Sequence, residues 1–92
     1  MRTPTYQFFS LDEYQQRLDA LRQRMEKQGV DVLLVTSPEN LYYLSGYQTP
    51  GYYWYQTLLV PLERDPVFIV RLNEDSNVGP LSWVEDSRPY ED

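Results

Sequence analysis

A short run, Val30-Asp31-Val32-Leu33-Leu34-Val35-Thr36, constrains this chain more than any other stretch. It is almost continuously apolar, and its one charge, Asp31, stands near its start. Such a run reads as a strand buried on both faces, the usual condition of a central strand in an α/β sheet. It is entered from a strongly marked helix and left through a second helix start, Ser37-Pro38-Glu39-Asn40. Helix, buried strand, helix is the expected organising unit.

The first helix is written in local signals. Ser10 and Glu13 form an S-x-x-E capping box, and Phe9 and Tyr14 stand where a hydrophobic staple needs them. Leu11, Tyr14, Leu18, Leu21 and Met25 recur at helical spacing and make one apolar stripe. Gly29 is the expected left-handed residue after the last turn, with Val30 placed to touch Met25. The stripe lasts barely two heptads, so it reads as packing on a sheet and not as a coiled-coil seam. In the second helix Ser37 is the N-cap and Pro38 the first helical residue. Leu41 to Leu44 follow, and Gly46 ends the element.

Residues 47–56 hold five aromatic side chains and no charge, with a turn marked at Pro50-Gly51. Thr57 to Leu62 reads as a strand that Pro61 brings to its end. A polar turn, Glu63-Arg64-Asp65-Pro66, leads to Val67-Phe68-Ile69-Val70-Arg71, so residues 57–71 form an antiparallel hairpin. Beyond it lie a polar stretch whose helical turn stops at Gly79-Pro80, a weak fourth strand or extended segment at 81–85, and an acidic tail at 86–92 that frays. Residues 1–9 read as a lead-in arm. The expected architecture is one α/β domain over 1–92, a mixed β-sheet with flanking helices. So little helix cannot cover both faces of the sheet. Either the fold continues beyond residue 92 or another chain covers the exposed part.

Composition removes several function classes. The net charge is −6, Lys27 is the sole lysine, and the arginines form no stripe. That argues against nucleic acid and anionic membrane surfaces, which need a basic patch. No cysteine is present, so there is no disulfide framework and no thiolate metal site. No apolar run approaches the ~18 residues of a membrane span, and Met1-Arg2-Thr3-Pro4 opens no signal peptide. These features set the expectation of a cytoplasmic protein. No histidine is present either. That excludes a Ser-His or Cys-His nucleophile pair and an ordinary zinc site. Catalysis by this chain alone would fall to carboxylates, Tyr, Lys27 or Arg. The acid pairs Glu74-Asp75, Glu85-Asp86 and Glu91-Asp92 read as solvated surface, and the Ser10 and Ser37 hydroxyls as helix caps.

The runs Phe8-Phe9-Ser10-x-x-Glu13-Tyr14-x-x-Arg17-Leu18, Gly29-Val30-Asp31 and Thr36-Ser37-Pro38-Glu39-Asn40-Leu41-Tyr42-Tyr43-Leu44-Ser45-Gly46-Tyr47 together carry a family resemblance. The chain resembles the amino-terminal domain of the creatinase/prolidase/aminopeptidase P family of pita-bread metallohydrolases. The pattern covers residues 8 to about 85, and Asp31 to Tyr47 is its most specific part. In detail it is similar to Xaa-Pro peptidase-like and ectoine-hydrolase-like members, with the Tyr-x-x-Pro-Gly-Tyr-Tyr loop and Arg71.

The resemblance implies a mixed sheet with a ribonuclease H-like motif, its last strands missing here. It also implies that no catalytic and no metal-binding residue lies in this chain. In the family two divalent metal ions sit in the carboxy-terminal catalytic domain, on two Asp, one His and two Glu. The amino-terminal domain makes homodimer contacts and places loops at the mouth of the active site. Creatinases use a Phe-x-Arg before the second strand to hold the substrate carboxylate. The matching positions here are Tyr52 and Trp54, so that arginine is absent and creatine is disfavoured. Tyr52, Trp54 and Arg71 are then candidate substrate-side residues, and Tyr47, Tyr53 and Tyr55 candidate interface residues. The expected function is a non-catalytic domain of a metal-dependent Xaa-Pro peptidase or creatinase-type hydrolase, partnered by the catalytic domain of the same protein. The alternative is a free-standing interaction module that docks through the aromatic loop and open sheet edge. A carboxylate-based enzyme is a third reading.

Overall fold

The computed structural model describes residues 1–6, 8–48, 56–71 and 75–90. The described elements run, in order, α1 (Leu11–Gln28), β1 (Val32–Val35), α2 (Pro38–Ser45), β2 (Thr57–Pro61), β3 (Val67–Arg71), α3 (Asp75–Leu81) and β4 (Asp86–Tyr90). The strands make one mixed sheet of order β1-β2-β3-β4. β1, β2 and β3 are antiparallel neighbours, and β4 joins β3 in parallel.

The local signals act as the physics requires. The Ser10 hydroxyl accepts the Glu13 amide at 3.1 Å, while the Glu13 carboxylate turns to Arg17 at 3.3 Å. Phe9 meets Tyr14 edge-on at 6.0 Å between ring centroids. Gly29 takes φ 70°, and the Val30 amide reaches the Met25 carbonyl at 2.8 Å, the closing bond of a Schellman motif. In α2 the Ser37 hydroxyl accepts the Asn40 amide, and Gly46 takes φ 81°. Glycine is required at 46 for a second reason. A Cβ there would lie 2.7 Å from the Tyr14 hydroxyl and 3.0 Å from the Leu81 carbonyl oxygen.

Register and burial divide the sheet into two faces. Leu33, Val35, Leu58, Val60, Phe68 and Val70 share one face by pairing and alternation. All join one cluster with Tyr14, Leu18 and Met25 of α1 and Leu41 and Leu44 of α2. The other face carries Val32, Leu34, Leu59, Val67 and Ile69, none of them buried, together with Thr57, which is 1% exposed. Val32 is 50% exposed and Leu34 56%.

This corrects the reading of β1 as a strand buried on both faces. It is one of the two end strands of the described sheet, with Val32 and Leu34 exposed on one face. A continuous apolar run fixes a strand, but which strands flank it is a property of the whole topology. Two further differences lie near the carboxy terminus. Asp86–Tyr90 forms β4, where the sequence reads a fraying tail. Its residues have little strand preference, and parallel pairing with β3 supplies the order. Pro89 is tolerated because β4 is an edge strand. α3 also runs through Gly79 and Pro80 instead of stopping there. Val78 is buried in the core, and the Pro80 carbonyl accepts the Tyr6 amide at 2.8 Å, which together hold this last turn. The lead-in arm is thereby tied down. The Arg2 amide also donates to the Trp83 carbonyl at 3.0 Å, and its guanidinium to the Val84 carbonyl.

Candidate functional site

Two depressions flank α2. The first lies where the aromatic stretch leaves and re-enters the described structure. Pro38, Glu39, Leu41 and Tyr42 of α2 line it with Tyr47, Gln48 and Gln56. Tyr47 is 1% exposed, with its ring 5.3 Å from that of Phe68, so its side chain belongs to the core. Ser45 fixes its entry: the hydroxyl donates to the Leu41 carbonyl at 2.5 Å and accepts the Tyr47 amide at 3.1 Å. Trp83 locks the end of α2 from the far side, its indole N–H donating to the Leu44 carbonyl at 2.9 Å. The α2 end is therefore a rigid base for whatever residues 49–55 do. Tyr52, Tyr53, Trp54 and Tyr55 lie outside the described residues. Arg71 ends β3, and its side chain is likewise outside them.

The second depression is a groove of about 500 Å³ between α1 and α2, along β1. Arg17, Ala20, Leu21 and Arg24 of α1 form one wall, and Asn40, Tyr43 and Leu44 of α2 the other. Leu33, Leu34, Val35 and Thr36 form the floor. Three consecutive strand residues, Leu33 to Val35, can line one groove only at a strand edge, since alternate side chains point to opposite faces. Arg17 is held in place: its guanidinium stacks 4.3 Å from the Phe9 ring centre and 4.2 Å from that of Tyr43, and donates to the Tyr43 carbonyl at 2.7 Å. Burial pushes the nearby Tyr14 hydroxyl above its usual pKa, Tyr42 adds to this, and Arg17 opposes it. Neither Arg17 nor Arg24 stands out in the sequence as a groove-lining residue. Their signal was positional, because residues 17, 20, 21 and 24 share one helix face.

The donor set does not fit a dinuclear metal centre. The sequence has no histidine, and among the described residues no three His, Cys, Asp or Glu side chains converge. No helix among the described residues is long and apolar enough to cross a membrane.

Fold and chain pattern together define a mixed-sheet α/β domain. The family model for the Creatinase/Prolidase N-terminal domain matches residues 17–92, and the chain belongs to that family. It is 41% identical over 87 residues to an uncharacterized hydrolase/peptidase, y4tM, of Sinorhizobium fredii, covering 91% of this chain and 22% of that protein. It is 32% identical over 77 residues to the ectoine hydrolase of Halomonas elongata, covering 84% of this chain and 19% of that protein. The chain thus spans about a fifth of the length of these curated relatives. Among solved structures, dipeptidase PepE from Mycobacterium ulcerans superposes with a TM-score of 0.79 at 22% identity, over 91% of this chain and 24% of that one. The creatinase/prolidase N-terminal domain of a Streptococcus pyogenes X-Pro dipeptidase gives 0.74 at 21% identity, over 84% of this chain and 58% of that one. These two likenesses show the fold.

Proposed function

We propose that this chain is the non-catalytic amino-terminal domain of a metal-dependent hydrolase acting on C–N bonds, such as Xaa-Pro peptide bonds. In this reading it contributes subunit contacts and shapes substrate access. The carrying observation is the family match over residues 17–92 in a chain that spans a fifth of two hydrolase relatives. The absence of histidine supports the same division of labour, with two divalent metal ions held by a segment outside these 92 residues. Tyr52, Trp54 and Arg71 would stand on the substrate side, where apolar rings suit a proline-like ring and a guanidinium suits a carboxylate. Tyr53 and Tyr55 would face a second subunit, with the buried Tyr47 as their anchor.

The test is to follow the reading frame past codon 92 and express the longest polypeptide. Hydrolysis of Xaa-Pro dipeptides and of ectoine is then assayed with added divalent metal, beside the 92-residue chain. Turnover by the long polypeptide and none by the short chain is expected. A stop codon after Asp92 with no catalytic chain beside it, or turnover by the short chain alone, contradicts the reading. One observation favours a second reading, an interaction module: the exposed Val32 and Leu34 on an end strand.

A further inference from the structure

We propose that the free edge of β1 and its groove receive an added β-strand that carries a carboxylate opposite Arg24. This rests on reading the chain as part of a larger domain, and it names the chemistry of the missing neighbour. On one side β1 is paired with β2, and among the described residues nothing pairs with the other side. An open apolar edge is a template for strand addition. Two solved N-terminal domains of this fold are longer than this chain, which spans 58% of one and 60% of the other, so further chain is available to supply such an element.

Charge selects the occupant. The chain carries −6 overall, yet the groove lining holds two arginines and no carboxylate. Arg17 is already paired with Glu13, while Arg24 has no hydrogen-bond or ion-pair partner among the described residues. A second copy fits poorly. Two-fold antiparallel pairing of β1 with β1 would place both α1 helices on one side of a continuous sheet. The arginines of both grooves would then crowd together. An apolar strand with one acidic side chain meets both the floor and the free cation.

The test titrates the 92-residue chain with a blocked heptapeptide of alternating valine and threonine, one valine replaced by glutamate, followed by amide NMR. The same peptide with glutamine is the control. Saturable shifts centred on Val32 to Thr36 are expected, with the glutamate peptide about threefold tighter, the scale of a partly exposed ion pair. Arg24→Gln should erase the preference and keep the binding. Equal affinity for both peptides, shifts away from β1, or no saturation overturns the proposal. So does a dimer in sedimentation that Leu34→Lys abolishes, which would put a second copy in the groove. A failed titration leaves the assay of the long polypeptide untouched, and a failed assay leaves the titration standing.

Discussion

The two faces of the sheet are built from the same kinds of residue and live in different surroundings. Leu58 and Val60 lie under α1 and α2 with almost no exposure, while Leu34, on the same β1–β2 ladder, is more than half exposed. Strand formation needs only apolar, β-tolerant side chains, and both faces have them. Burial needs a second layer, and among the described residues the packed helices α1 and α2 provide it on one face. Val32 and Leu34 therefore contribute less to the stability of this chain than the buried residues of the opposite face.

The largest effect that can break this comparison is a matched pair of truncations. Leu58→Ala should cost about 2–5 kcal/mol and Leu34→Ala less than about 1 kcal/mol, because the first opens a cavity and the second removes contact mainly with water. Urea unfolding with an unchanged m-value reads both. Equal costs would mean that the bare face is covered. Next comes Gly46→Ala, expected to lose about 2 kcal/mol, since it adds left-handed strain to a close approach to Tyr14. A loss confined to tenths would show that the α1–α2 junction yields easily. Ser10→Ala should cost about 1 kcal/mol by leaving the Glu13 amide without its cap; circular dichroism during thermal unfolding checks it. The smallest effect belongs to β4. Hydrogen bonding to Arg88 holds the exposed Asp86 carboxyl below its ordinary value of 3.8. The folded pKa is lowered, so any stabilisation is present above the ordinary value and disappears as pH falls through the lowered one. NMR titration of Asp86 should move back toward 3.8 in Arg88→Gln.

What was legible in the sequence was what is decided locally. The caps at Ser10, Gly29, Ser37 and Gly46 involve neighbours within a few residues and each forms, but the reciprocal half of the Ser10–Glu13 box does not, because the Glu13 carboxylate turns to Arg17. The hairpin at 57–71 was legible because Pro61 and the polar turn bracket two short apolar runs. β1 was recognisable as a strand, but its place at the end of the sheet depends on partners tens of residues away. β4 was invisible because Asp86, Ser87, Arg88 and Pro89 have no strand pattern, and only β3 gives them one. Of the candidate site residues, Tyr47 turned out to be a core ring. The groove under Arg17 and Arg24 was missed because its second wall, α2, is brought there by the tertiary fold.

Native-state hydrogen exchange on the 92-residue chain tests the central claim most directly. In a sheet whose β1 edge is open, the β2 and β3 amides should exchange near the global unfolding rate. The β1 amides that point away from β2 should exchange orders of magnitude faster. If those β1 amides are protected as strongly as the β2 ladder, the edge is already covered, and the account of an open β1 edge is wrong.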